Sequence, residues 1–209
     1  MADASQRVSD PSLTGRILMA YKDRRAAMRR LLTQGRGESE ALFFVMLAAG
    51  IWFVADIPRV ILGLERSGAT DLDVQGAVTS WLITVVVIVT LLRYILSMLS
   101  RWGAKALGGT GTHLGARYAQ FWSALITAPL LFPVGILYGA ALTTGSEVVY
   151  ETAQWAQTGV QVIFLWFWAE ALAEAEGFAS PFKAVLAILW PLIALGGLVA
   201  LTVWGLGLS

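Results

Sequence analysis

Cysteine is absent from this 209-residue sequence, and histidine occurs once, as His113. Without thiols there are no disulfides, no thiolate metal sites and no cysteine nucleophile. A single imidazole excludes a multi-histidine metal or haem site built within the chain. Charge is scarce too: 14% of residues are charged against 57% hydrophobic, and the mean hydropathy is +0.68. Soluble domains average roughly 25% charged and about 45–50% apolar residues. A chain this apolar cannot cover a soluble surface, and several stretches approach the ~20 apolar residues that cross a bilayer. A secretory signal is not expected, because the first 40 residues are polar and basic and hold no apolar core. Arginine outnumbers lysine twelve to three, which with the abundant Ala, Gly and Leu suggests a GC-rich bacterial genome.

Five apolar runs are legible, at residues 41–64, 77–99, 119–142, 148–172 and 184–208. All are too long for barrel strands of about 9–11 residues, and none alternates with period two. The reading is an all-α, polytopic bundle of five transmembrane helices at 41–209, preceded by a basic segment at 1–40. The fourth run is diluted by Gln154, Gln157 and Gln161, around a firm core "VQVIFLWFWAEAL". The fifth has no ionisable side chain after Lys183.

Basic residues set the orientation. Arg7, Arg16, Lys22, Arg24, Arg25, Arg29, Arg30 and Arg36 precede the first run, and Arg101, Lys105 and Arg117 surround the loop after the second. The loops after the first and third carry chiefly Glu65, Asp71 and Asp73, or Glu147 and Glu151. Even-numbered crossings return to a basic side, with Lys183 the weakest vote, so the N-terminus is expected in the cytoplasm and the C-terminus outside. This places the chain in a bacterial inner membrane.

"DPSLTGRILMAYKDRRAAMRRLLTQG" reads as one amphipathic helix. Asp10 or Ser12 can cap its start, Pro11 suits the first turn and Gly35 the end. Such a helix would lie in the headgroup layer, with Arg24, Arg25, Arg29 and Arg30 on anionic lipid, or else pack on the cytoplasmic end of the bundle. Nothing aromatic or motif-like accompanies these arginines, so no nucleic-acid role is expected.

"GGTGTHLGARYAQFW", residues 108–122, is the most distinctive loop. A glycine-rich turn opening onto a helix can bind phosphate through backbone N–H groups. This one is neither a Walker A nor a dinucleotide fingerprint, and it also reads as a re-entry turn capped by Thr112. Gly135 and Gly139, and likewise Gly196 and Ala200, are small pairs one turn apart that let helices approach closely. Pro129 and Pro133 should kink the third run, and Pro191 the fifth. Trp81, Trp102, Trp122 and Trp204 fall near run ends, where tryptophan anchors to the interface.

Ionisable residues inside apolar runs are the remaining candidates: Asp56, Arg59, Arg93 and Glu170. Ala41 to Pro58 already spans 18 residues, about 27 Å of helix. Asp56 and Arg59 are therefore expected near the outer interface, or else form a buried functional pair. Glu170 and Glu174 share a helix face and read as the polar end of a span, or as part of a proton or cation path. His113 has no partner pattern for Ser-His or zinc catalysis. No enzyme activity and no cofactor are expected.

Four stretches resemble bacterial members of the Yip1 family: "YKDRRAAMRRLL", "GESEALFFVMLAAGIWFVADIPR", "GGTGTHLGARYAQFWSALITAPL" and "FLWFWAEALAEAEGF". The resemblance covers roughly residues 15–205. It implies five spans, a cytoplasmic N-terminus and no established chemical activity. Eukaryotic relatives are linked to vesicle traffic through small GTPases, but their DLYGP-type motif is missing here and no functional residue carries over. Two functions fit the residues. One is a non-enzymatic membrane organiser or accessory subunit, acting through helix contacts with other integral membrane proteins. The other is a small oligomeric transporter or channel using Asp56, Arg59, Arg93 and Glu170.

Overall fold

The computed structural model describes residues 12–34, 37–68, 70–191 and 193. Among these every regular element is helical. A short pair, α1 (Leu13–Lys22) and α2 (Arg24–Gln34), precedes the long helix α3 (Glu38–Arg66). Then come α4 (Asp71–Ile83), a π-helical stretch (Thr84–Val89) and α5 (Thr90–Ala106), which follow one another directly. After a loop, α6 (His113–Thr127) passes through a 3₁₀ turn into α7 (Leu131–Thr144), and α8 (Glu147–Glu176) follows. The last described helix is α9 (Pro181–Pro191).

Three of these stretches are long and apolar enough to cross a membrane: Glu38–Arg66, Asp73–Ala106 and His113–Thr144. They coincide with the first three apolar runs. α8 is a single 30-residue helix whose glutamines keep it out of that apolar class. Gly196, Ala200, Trp204 and most of the fifth run lie outside the described residues, as do Asp10, Pro11 and Gly35.

The N-terminal segment is two helices rather than one. Asp23 stops α1 and its carboxylate accepts from the Ala26 N–H at 2.9 Å, capping α2. A short Asx side chain satisfying the next helix's free N–H groups competes with continued helix. Ser12 caps α1, accepting from the Gly15 N–H. The hairpin lies against the bundle: Met28 and Leu31 join the main core, and Tyr21 donates to the Ile126 carbonyl.

α6 is the central helix, with 12 of its 15 residues buried among α3, α5 and α8. Phe44 of α3 packs between Tyr118 and Trp122 of α6, at centroid distances of 6.2 and 5.1 Å. Trp122 is only 1% exposed, so it is a core residue and not the interfacial anchor its position suggested. Trp102 is exposed at the end of α5 as such an anchor would be. A smaller core of Leu62, Val134, Tyr138, Ala141 and Ala153 fills the other half of the bundle.

Close approaches fix the packing. A Cβ at Gly135 would lie 2.2 Å from the Ala55 carbonyl oxygen, so α7 meets α3 backbone to backbone there. Gly139 is looser, since a Cβ there would lie 3.9 Å from the Pro58 Cβ. Gly103 is a third such point, with the Ala187 carbonyl oxygen 2.1 Å from where its Cβ would be. Pro129 falls in the 3₁₀ turn Ala128–Leu130, where the missing N–H breaks the span into α6 and α7. Pro58 lies inside α3, which continues helical past it to Arg66.

The α1–α2 hairpin, the 107–112 loop and the α8–α9 turn gather at one end, the hairpin end. There Arg25 donates to the Ala179 carbonyl and the Gly111 N–H to Glu176. The α3–α4 and α7–α8 connections meet at the far end, where Arg66 pairs with Glu147 at 2.9 Å.

Candidate functional site

Two groups of polar side chains stand out in this apolar bundle. The first surrounds Glu176, at the hairpin end. This carboxylate is fully buried, and its Oε2 accepts from the Gly111 N–H at 2.9 Å and pairs with Arg101 at 3.1 Å. The Thr110 N–H donates to the Glu176 carbonyl. A Cβ at Gly109 or Gly111 would sit 2.6 or 2.9 Å from Oε2, so the glycines are there to admit this side chain. The glycine-rich loop thus does hold an anion on backbone N–H, and that anion belongs to α8. Thr112 caps α6 as its position suggested, accepting from the Gly115 N–H at 3.0 Å. Burial raises the Glu176 pKa, opposed by the Gly111 N–H, Arg101 and His113. His113 is itself exposed on the first turn of α6.

Neighbouring carboxylates also hold the hairpin end together. Glu170 pairs with Arg24, whose guanidinium lies 4.6 Å from the Phe167 ring. Glu174 pairs with Arg29 at 2.7 Å, and Glu40 with Arg16 at 3.0 Å. Glu170 and Glu174 raise the pKa of Arg24 and Arg29 through these hydrogen bonds. Arg25 and Arg30 have weaker contacts, to Ala179 and to the Met19 sulfur. Glu170 therefore does not converge with Asp56, Arg59 and Arg93; it docks the hairpin.

The second group lies deeper, in two adjoining clefts that share Gln157 and Gln161. The inner cleft, about 220 Å³, is formed by α3, α5, α6, α7 and α8 around Arg93, Thr127 and Leu131. The Arg93 guanidinium lies 5.9 Å from the Trp52 ring and 5.2 Å from the Phe164 ring. The outer cleft, about 430 Å³, is lined by Arg59, Arg66, Tyr138, Tyr150, Gln154 and Thr158, among others. Tyr138 donates to Gln157 at 2.9 Å across it.

Charge in the two clefts is unevenly compensated. Arg59 makes a two-pronged pair with Asp56, which is 6% exposed, and stacks over Trp81 at 5.3 Å. Arg66 pairs with Glu147 and stacks on Tyr150 at 3.9 Å. Arg93 has no carboxylate partner among the described residues. Along α8, Glu151, Gln154, Thr158 and Gln161 are all exposed, and their 3-4-3 spacing makes one stripe on the helix face.

The sequence singled out Arg93, Asp56 and Arg59 but not the glutamines beside them or Glu176. The glutamine spacing was visible; the pairing of Glu176 with a loop 65 residues away has no local signature. Several other buried polar groups have no hydrogen-bond partner among the described residues, including both side-chain atoms of Gln120 and the indole N–H of Trp122 and Trp168. No family model, curated protein or solved structure matches this chain.

Proposed function

We propose that the chain is a multi-pass inner-membrane protein that works by helix contacts with another integral membrane subunit and carries out no chemistry itself. In this reading α8 and the stretch after Lys183 are also crossings, and the hairpin end is cytoplasmic. The hairpin end carries most of the basic residues, in accord with the positive-inside rule. The resemblance to Yip1-family proteins fits the same topology.

One observation carries the proposal: the exposed stripe Glu151, Gln154, Thr158 and Gln161 on α8. In the proposed crossing, Gln161 lies about 20 Å past Val148, more than halfway through the hydrocarbon. Exposed amides and hydroxyls at that depth cost free energy unless they find hydrogen-bond partners. Glutamine and threonine commonly bond across helix pairs in membranes, at about 1–2 kcal/mol each in model peptides. A partner helix laid in the outer cleft would meet the stripe together with Tyr138 and Tyr150.

A photo-reactive amino acid at Thr158 tests this in native membranes. Discrete adducts with a second protein are expected, and adducts with lipid alone would sink the proposal. The second reading, a solute path, rests on Asp56, Arg59 and Arg93 lining connected clefts. For that reading, a single cysteine placed at Thr158 of this cysteine-free chain should react with a water-soluble maleimide in intact membranes.

A further inference from the structure

We infer that the inner cleft is a binding site for an anionic amphiphile, with Arg93 taking the anionic group and the tail leaving between the helices. The inference stands apart from the identity of any protein partner, since it centres on Arg93 of α5, which is not in the stripe, although Gln161 of that stripe also lines the inner cleft.

Charge is the first argument. Of the three arginines in the two clefts, Arg59 is neutralised by Asp56 and Arg66 by Glu147. Among the described residues Arg93 alone has no acid opposite it, and the polar groups that share its cleft are the amides of Gln157 and Gln161 and the Thr127 hydroxyl. Residues 184–209 carry no acidic side chain. A guanidinium presents five N–H donors in a plane, and Trp52 and Phe164 account only for its contacts with rings. Cations at membrane depth are kept where they pair or serve a ligand.

The walls supply the second argument. Ala48, Ala124, Ala128, Leu131 and Val160 make most of the lining, and Thr127, Gln157 and Gln161 add a few hydrogen-bonding groups. Few polar groups set in an apolar wall is the usual make-up of a small-molecule site. A cleft of about 220 Å³ is smaller than the roughly 300 Å³ at the low end for whole drug-sized ligands. It holds a carboxylate or phosphate group with a few carbons, and the cleft is only partly enclosed, so the remainder need not fit inside it. A free inorganic anion would satisfy Arg93 but leave the apolar wall unused.

The probes are sodium oleate, oleyl alcohol and inorganic phosphate, added to the full-length protein in neutral maltoside detergent. Oleate is expected to raise the unfolding midpoint, while the alcohol and phosphate leave it unmoved. Arg93→Gln should weaken oleate binding by at least about tenfold, the loss expected for a charge-assisted hydrogen bond, and Arg93→Lys should retain part of it. Equal stabilisation by oleyl alcohol, or an unchanged oleate affinity in Arg93→Gln, overturns the site. An Arg93-dependent effect of phosphate without one of oleate overturns the amphiphile and leaves a free-anion site. Should Arg93→Gln not fold, a diazirine-bearing fatty acid photolysed on the wild type decides. Label on residues 124–131 or 157–164 supports the site, and label confined elsewhere refutes it.

Discussion

Arg59 grips Asp56 with both prongs of its guanidinium, Nε to Oδ1 at 2.7 Å and Nη2 to Oδ2 at 2.6 Å, within one turn of α3. The carboxylate is almost wholly buried, whereas the arginine side chain keeps 36% of its exposure. Removing one partner of such a pair leaves the other charge stranded, and the loss is governed by the less solvated member.

Asp56→Asn should therefore destabilise the protein by about 1–3 kcal/mol, below the roughly 3–5 kcal/mol of fully buried pairs because Arg59 retains solvent access. Asp56→Asn with Arg59→Gln should recover part of that loss. Thermal unfolding in detergent reads both variants; an unchanged midpoint for the single variant would show that the pair adds nothing.

At Gly135 an alanine has no room, since its Cβ would lie 2.2 Å from the Ala55 carbonyl oxygen. Gly135→Ala should cost about 1–3 kcal/mol as α3 and α7 are forced apart. Gly50→Ala makes the control, because nothing lies within 4 Å of that added methyl. Equal stability of the two variants would disprove the close contact.

Burial raises the Glu176 pKa above its ordinary 4.5, and the sign of the pH effect follows from that direction. A carboxyl that holds its proton more tightly when folded contributes stability fully below its unfolded pKa. That contribution is lost as pH rises through the folded value. The stability that Glu176 itself contributes should thus fall as pH rises from about 4.5 towards neutrality, so the melting point of the wild type relative to Glu176→Gln should fall over that range. Identical slopes would remove Glu176 as its source.

Docking of the hairpin depends on Arg24 with Glu170 and Arg29 with Glu174. Arg24→Glu should lose about 1 kcal/mol of docking, the upper end for a partly exposed pair. Amide exchange across residues 13–34 should then quicken about fivefold. Adding Glu170→Arg should restore protection. Exchange unaffected by either change would mean that the Arg24–Glu170 pair adds nothing to docking.

Much of the bundle is legible along the chain because apolar length, caps and prolines are local signals. The first three runs, Ser12, Thr112 and the break at Pro129 all follow from that. Asp23 was legible in principle: an aspartate three residues ahead of the Ala26 N–H is a capping signal, masked here by the continuing arginine pattern. The burial of Trp122 was not, since it is set by what packs against it, and the π-helical Thr84–Val89 has no sequence signal. The same holds at the clefts. Arg93 is conspicuous for its charge and the Asp56–Arg59 pair for its spacing, but only the fold shows that Glu147 neutralises Arg66 and that Arg93 is left over.

The Glu176 contact also sets a timetable. Gly111 leaves the ribosome 65 residues before the carboxylate that will fill its loop, and Arg24 precedes Glu170 by 146. At roughly 5–20 residues per second, the loop waits about 3–13 s and the hairpin longer still. The helices from α1 to α7 are therefore made before the Glu176 and Glu170 contacts can form, and synthesis of α8 is the event that completes the hairpin end.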